Sequence, residues 1–170
     1  MVSPDAPAPG SLRGTIVAVV ALFVVDAFVF AQGFFSTVIA AIACLFLLAR
    51  LTVAAAPTRR LLAKKVALWV LLPVATIGTI SANNALARSR AEVVIAAVHA
   101  YKRERGVYPS DLEQLVPAFL PSVPRAKLTL GFSRFEYLAR DDKAWLHYTS
   151  LPPFGRPTYN FTAARWGYLD

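Results

Sequence analysis

The sequence predicts a membrane α-helical region of three transmembrane helices, followed by a small α+β domain with an antiparallel sheet. Three observations carry that expectation. Of the 170 residues, 56% are hydrophobic and only 16% are charged, against roughly 25% charged in ordinary globular chains. The deficit is local: between Gly14 and Arg50 the one charged residue is Asp26, and Val66–Ala87 holds none. From Arg88 onward the texture changes to mixed charge, aromatics and prolines. The division falls near residue 86, with six basic and two acidic residues before it and twelve and eight after it.

So apolar a chain is not a disordered one. The single cysteine, Cys44, excludes a disulfide scaffold. The net charge of +8 splits evenly between the halves. Neither half is therefore a nucleic-acid footprint, and the first partner to expect is a lipid bilayer.

A membrane-spanning helix needs about 20 mostly apolar residues. As one helix, Gly14–Ala49 would be roughly 54 Å long at 1.5 Å per residue, too long for one crossing and right for two. The break falls at Gln32-Gly33, the most polar and flexible point of the run. Span one is then residues 14–31, preceded by a tail of residues 1–13, and span two is residues 34–53. Span three is residues 66–85, with Trp69 as an interfacial anchor and Pro73 as a kink that neighbouring helices tolerate. Val29-Phe30-Ala31 weakly resembles a signal-peptide cleavage site. Asp26 within the apolar run and the weakly basic start argue for a retained span instead.

Orientation follows from basic residues near the spans. Arg50, Arg59, Arg60, Lys64 and Lys65 lie between spans two and three with no acid among them. That connection is expected to be a cytoplasmic loop. The N-terminus is then cytoplasmic and residues 86–170 extracytoplasmic. Arg88 and Arg90, just beyond span three, run against this rule.

Residues 86–105 continue span three as an amphipathic helix, with Leu86, Val93, Val94, Ala97, Val98 and Tyr101 near helical spacing. Gly106 stops it as a C-cap. Ser110 or Asp111 caps a short helix over residues 112–116, ended by Pro117. Pro121, Pro124 and the extended run 127–130 form a connector. Residues 135–139 and 145–149 alternate as strands about the polar loop Arg140-Asp141-Asp142-Lys143. A third strand is expected at residues 158–162. Phe135, Tyr137, Trp145, Tyr148, Tyr159, Phe161 and Trp166 supply the core of a domain of about 85 residues, near the lower limit for independent stability.

The run from Ala96 to Leu115 holds Tyr101-Lys102, then Gly106-Val107-Tyr108-Pro109, then Leu112-Glu113-Gln114-Leu115. It resembles the mid-region of type II secretion pseudopilins and type IV pilin-like proteins. The resemblance covers about residues 85–124 and implies a long helix, a short Leu-x-x-Leu helix and a small antiparallel sheet. Pilins also carry a processing motif before a single span: Gly, Phe, a hydroxyl residue, Leu and then Glu. Residues 59–66 do not resemble it, Gly33-Phe34-Phe35-Ser36 lacks the Glu, and Gly131–Glu136 has no apolar span behind it. Polymerisation is therefore not implied; a pilin-like external domain on a permanent anchor is.

Candidate chemistry is sparse. Asp26 is the pointed residue, because an ionisable group at the centre of a span costs about 2.5–3.5 kcal/mol. It either bonds across the hairpin to Ser36 or Thr37, or serves proton handling or a basic partner. Gly106, Tyr108 and Pro109 form either a rigid structural turn or a partner-docking turn. Arg50, Arg59, Arg60, Lys64 and Lys65 set topology, with contact to anionic lipid as the sharper alternative. His99 and His147 lack further ligands at metal-site spacing, and Cys44 has no base nearby. No phosphate loop or dinucleotide motif is present, so no cofactor, metal or catalytic residue is expected. The sequence thus predicts a non-enzymatic bacterial inner-membrane protein presenting a periplasmic domain to a protein partner in envelope, secretion or pilus-related assembly. Alternatives are a membrane immunity or accessory protein neutralising an envelope-targeting toxin, or a transporter or membrane-enzyme subunit using Asp26.

Overall fold

The computed structural model describes residues 11–169. Most of the expected tail, residues 1–10, lies outside the described residues, as does Asp170. The chain divides into two compact units, Met1–Ile80 and Ser81–Asp170.

The first unit is helical. Helix α1, Leu12–Val24, passes into a π-helical turn over Val25–Phe30 that contains Asp26. Ala31 and Gly33 both take left-handed backbone conformations, with φ of 53° and 72°, and reverse the chain. Helix α2 covers Phe34–Val53. Helix α3 begins at Ala56 and runs to Arg105, so its opening turns belong to the first unit and its later ones to the second. Among the described residues three helical stretches are therefore long and apolar enough to cross a membrane: Leu12–Phe30, which is α1 with its π-helical turn, then α2 and α3. Helices α1 and α2 are apolar nearly throughout and each exposes a broad apolar face, including Ile16, Val17 and Val20 on α1 and Ile42, Leu45 and Phe46 on α2. A helix apolar all round needs a surrounding apolar medium or a large protein core.

One expectation is corrected here. Residues 54–65 are not a loop: only Ala54 and Ala55 separate α2 from α3, and Arg59, Arg60, Lys64 and Lys65 sit in the opening turns of α3. Pro57 falls in the first turn, where its missing N–H costs nothing. The Ala, Leu, Arg and Lys residues that follow are strong helix formers.

The second unit is α+β. The chain after α3 makes a single 3-10 turn, Leu112–Leu115, in place of the expected short α-helix. Four strands then form an antiparallel meander in sequence order: β1 Glu136–Arg140, β2 Lys143–His147, β3 Arg156–Asn160 and β4 Arg165–Leu169. The fourth strand exceeds the three expected. The residues expected as an extended run at 127–130 form bends.

Register explains the core. Tyr137 pairs with Leu146, Leu146 with Tyr159 and Tyr159 with Trp166. Paired residues share a face, so these four make one row across the sheet. They pack with Phe135, Tyr148 and Phe161 against Ala87, Ala91, Val94, Ile95 and Val98 of α3. The buried α3 residues recur at spacings of three and four, one face of a helix. Two expected core residues point elsewhere. Trp145 pairs with Leu138 and Asn160 in the neighbouring row, which the two-residue period of a strand places on the opposite face. Val93 is 54% exposed, because Val94 occupies the core-facing position and helical rotation carries its neighbour outward.

Candidate functional site

Asp26 lies within the first unit and is fully buried. Its Oδ1 accepts from the Gly33 N–H at 3.1 Å, and its Oδ2 accepts from the Ser36 N–H at 2.7 Å. The Ser36 and Thr37 hydroxyls both donate to the Gly33 carbonyl, at 3.1 and 2.7 Å. Asp26 thus answers two N–H groups at the start of α2 that have no partner within that helix, from the preceding π-helical turn. A carboxylate at a helix N-terminus also meets the positive end of the helix dipole. The π-helical turn re-aims its side chain toward the hairpin. Within the same unit, the Gly33 Cα hydrogens face Ile77 and Ile80 of α3. Both oxygens are engaged with backbone, which is a structural task.

The Gly106–Pro109 turn is likewise tied into the second unit. Gly106 adopts φ 79° and donates its N–H to the Lys102 carbonyl at 2.9 Å, the left-handed stop of a helix. The Tyr108 ring meets Phe161 at 5.8 Å and carries the Lys102 ammonium 3.8 Å from its centroid. Lys102 also pairs with Asp142, whose hydrogen bond raises the lysine pKa. Pro109 is fully buried. Asp111, not Ser110, caps the 3-10 turn, its Oδ1 accepting from the Gln114 N–H at 3.0 Å. Gln114 Oε1 accepts from Ser110 N–H and Tyr101 hydroxyl, at 3.1 and 3.2 Å, and fastens this turn to α3.

The two histidines separate. His99 stands edge-on to Phe161 at 5.3 Å. Burial first, then Arg103 and Lys102, holds its pKa below the usual value. His147 Nε2 lies 2.9 Å from Glu136 Oε2 across the β1–β2 pair. Among the described residues, no three of His, Cys, Asp and Glu come together as a metal would need. Arg50 closes α2 with its guanidinium 4.8 Å from the Phe46 ring centroid.

A cavity of about 510 Å³ lies in the second unit, beside the 3-10 turn. Asp111 and Glu113 line it from that turn, Arg125 and Arg134 from the connector, and Tyr137 from β1. The Tyr137 hydroxyl itself is buried from solvent and has no hydrogen-bond partner among the described residues. Burial, and then the neighbouring Tyr108 and Asp111, hold its proton on well beyond the ordinary phenol range. A buried hydroxyl without a partner loses about 1–3 kcal/mol. The two arginines meet the acids only through long-range folding, and sequence spacing carries no signal for that. Tyr137 was legible as a core aromatic, and its orphaned hydroxyl was not.

No family model, curated protein or solved structure matches the chain.

Proposed function

We propose that this chain is an integral protein of a bacterial inner membrane, with a cytoplasmic N-terminus and a periplasmic, pilin-like domain that docks a protein partner. The partner belongs to envelope, secretion or pilus-related assembly. The observation that carries the docking role is the groove of Asp111, Glu113, Arg125, Arg134 and Tyr137. Its exposed acids, Asp111 and Glu113 on the 3-10 turn, suit a polypeptide segment bearing basic side chains. The chain acts by binding rather than catalysis: Asp26 and Asp111 serve as caps, and Glu92, Glu136 and Asp142 pair with neighbouring cations or His147.

Two measurements test this. Alkaline phosphatase fused after Leu169 is expected to be active and fused after Arg60 inactive; the reverse pattern overturns the orientation. A photo-crosslinking residue at Glu113 is expected to give one discrete adduct with an envelope protein in living cells, weakened by Asp111→Asn, which keeps the capping acceptor and removes the charge. The same probe at exposed Phe154 should give none. Identical adduct patterns at both positions sink the docking role.

A further inference from the structure

The connector between the 3-10 turn and the sheet carries an unusual surface. Residues 126–133 close on themselves, with the Ala126 N–H donating to the Ser133 carbonyl at 2.7 Å. Within this loop Ala126, Lys127 and Thr129 point inward and are buried. The alternate side chains point out: Leu128 is 60% exposed, Leu130 82% and Phe132 51%. Phe132 holds a left-handed backbone with φ 52°, a conformation that a bulky aromatic adopts only under constraint. Arg125 and Arg134 stand exposed at the two ends of the loop. Three adjacent apolar tips framed by two cations are a poor surface to leave in water.

The loop's attachment says where it sits. Leu128 N–H donates to Asn83 Oδ1 of α3 at 3.2 Å, and Arg90 Nη1 donates to the Arg125 carbonyl at 2.9 Å. Asn83 lies inside the uncharged run of α3, which ends at Ala87. A hydrocarbon layer of about 30 Å is crossed by about 20 helical residues. Counted from Lys65, that layer ends near residue 85, so Asn83 falls in its last turn. The loop is therefore bonded to α3 at the level where hydrocarbon gives way to headgroups.

We propose that the loop of residues 125–134 dips into the outer leaflet of the same membrane that α3 crosses. Leu128, Leu130 and Phe132 enter the acyl boundary, while Arg125 and Arg134 meet the lipid phosphates. The occupant is the bilayer, for two reasons: the level of Asn83 on α3, and the pattern of apolar tips with a cationic rim, which is how interfacial segments bind anionic lipid. The proposal rests on the membrane reading of the helices and adds a second, independent lipid contact.

The test uses the full chain with Cys44→Ser, reconstituted in vesicles of phosphatidylethanolamine with and without phosphatidylglycerol. Single cysteines at Leu130→Cys, Phe154→Cys and Ile77→Cys carry an environment-sensitive fluorophore. Leu130 and Phe154 are exposed, so their labels leave the packing undisturbed. The label at 130 is expected to shift to the blue and to be quenched by a nitroxide placed near the lipid headgroup. That response should strengthen with phosphatidylglycerol and weaken when Arg125 and Arg134 are both changed to Glu. The label at 154 should report water. A water-like label at 130 beside a lipid-buried label at 77 overturns the loop proposal and leaves the spans standing. Water-like labels at both 130 and 77 overturn the membrane reading itself. A blue-shifted label at 130 that no lipid nitroxide quenches means protein covers the loop, and also overturns the proposal.

Discussion

Lys127 is the largest fully buried side chain among the described residues, 1% exposed, and its Nζ donates to the Ser150 carbonyl at 2.8 Å. No carboxylate pairs with it among the described residues. Burial alone lowers its pKa from 10.5 to about 8. At 1.36 kcal/mol per unit, that fall sets a ceiling of about 3 kcal/mol on the cost of keeping the charge inside. Local relaxation around the charge reduces the effective cost to about 2 kcal/mol.

The pH dependence has a definite sign. Below pH 8, about the folded value, both folded and unfolded chains hold the proton and the full penalty is present. Between there and 10.5 the unfolded chain binds more protons, so stability rises with pH. Lys127→Met removes the charge at similar volume and also removes the bond to Ser150, a loss of about 1 kcal/mol. The net at pH 7 is a gain of about 1 kcal/mol. For a domain of this size that is roughly 4–8 °C in Tm. The assay is thermal unfolding of the full chain in lipid nanodiscs, followed by Trp145 and Trp166 fluorescence in a Trp69→Phe background. The gain should vanish and reverse as the pH passes 10. A Lys127→Met chain that is less stable at pH 7, or a difference independent of pH, refutes the assignment of a buried, poorly compensated ammonium.

Three further outcomes are expected. Asp26→Ala leaves the Gly33 and Ser36 N–H groups unanswered inside an apolar unit and should lose about 2 kcal/mol in a detergent–denaturant titration. Asp26→Asn, which keeps one acceptor, should recover part of that. Gly155→Ala places a Cβ 2.9 Å from Ser150 Oγ at φ +69° and should destabilise the second unit by about 2 kcal/mol in the same melts. Arg88→Gln loses a guanidinium 3.7 Å from the Trp166 centroid. It should cost about 1 kcal/mol, with a changed Trp166 emission and unchanged phosphatase-fusion topology.

The sequence was most readable where one physical signal dominates. Helix α2 begins at Phe34, where the sequence places it, because the polar, flexible Gln32-Gly33 interrupts the apolar run there. The end of α3 at Arg105 follows from Gly106, which alone there takes a positive φ without strain. The strand at Arg165–Leu169 was missed because its turn holds no glycine: Ala164 takes the left-handed position. The turn is organised by Asn160, whose Oδ1 accepts from the Thr162 and Ala163 N–H groups at 2.9 and 3.0 Å. That Asx turn was a usable signal. The groove was not legible, because Arg134 and Glu113 meet only after the sheet has set the connector against the 3-10 turn.

The fold gives a structural role to the two residues of the sequence that ran against its expected orientation. Counted as charges, Arg88 and Arg90 weigh against an external second unit. In the fold they are building material. Arg88 pairs with Glu92 at 3.0 Å and stacks on Trp166, whose Nε1 also donates to Glu92 at 3.2 Å. That closes a three-residue bridge from α3 to the last strand. Arg90 holds the Arg125 carbonyl and so the base of the exposed loop. Each has a structural partner that a basic residue serves best, since a guanidinium alone offers a planar stacking face and several donors together. Arg59, Arg60 and Lys64 are exposed on the opening turns of α3, and no acid lies between Arg50 and Lys65. The two groups of basic residues therefore differ in what they touch: Arg88 and Arg90 bond within the second unit, whereas Arg59, Arg60 and Lys64 present exposed charge.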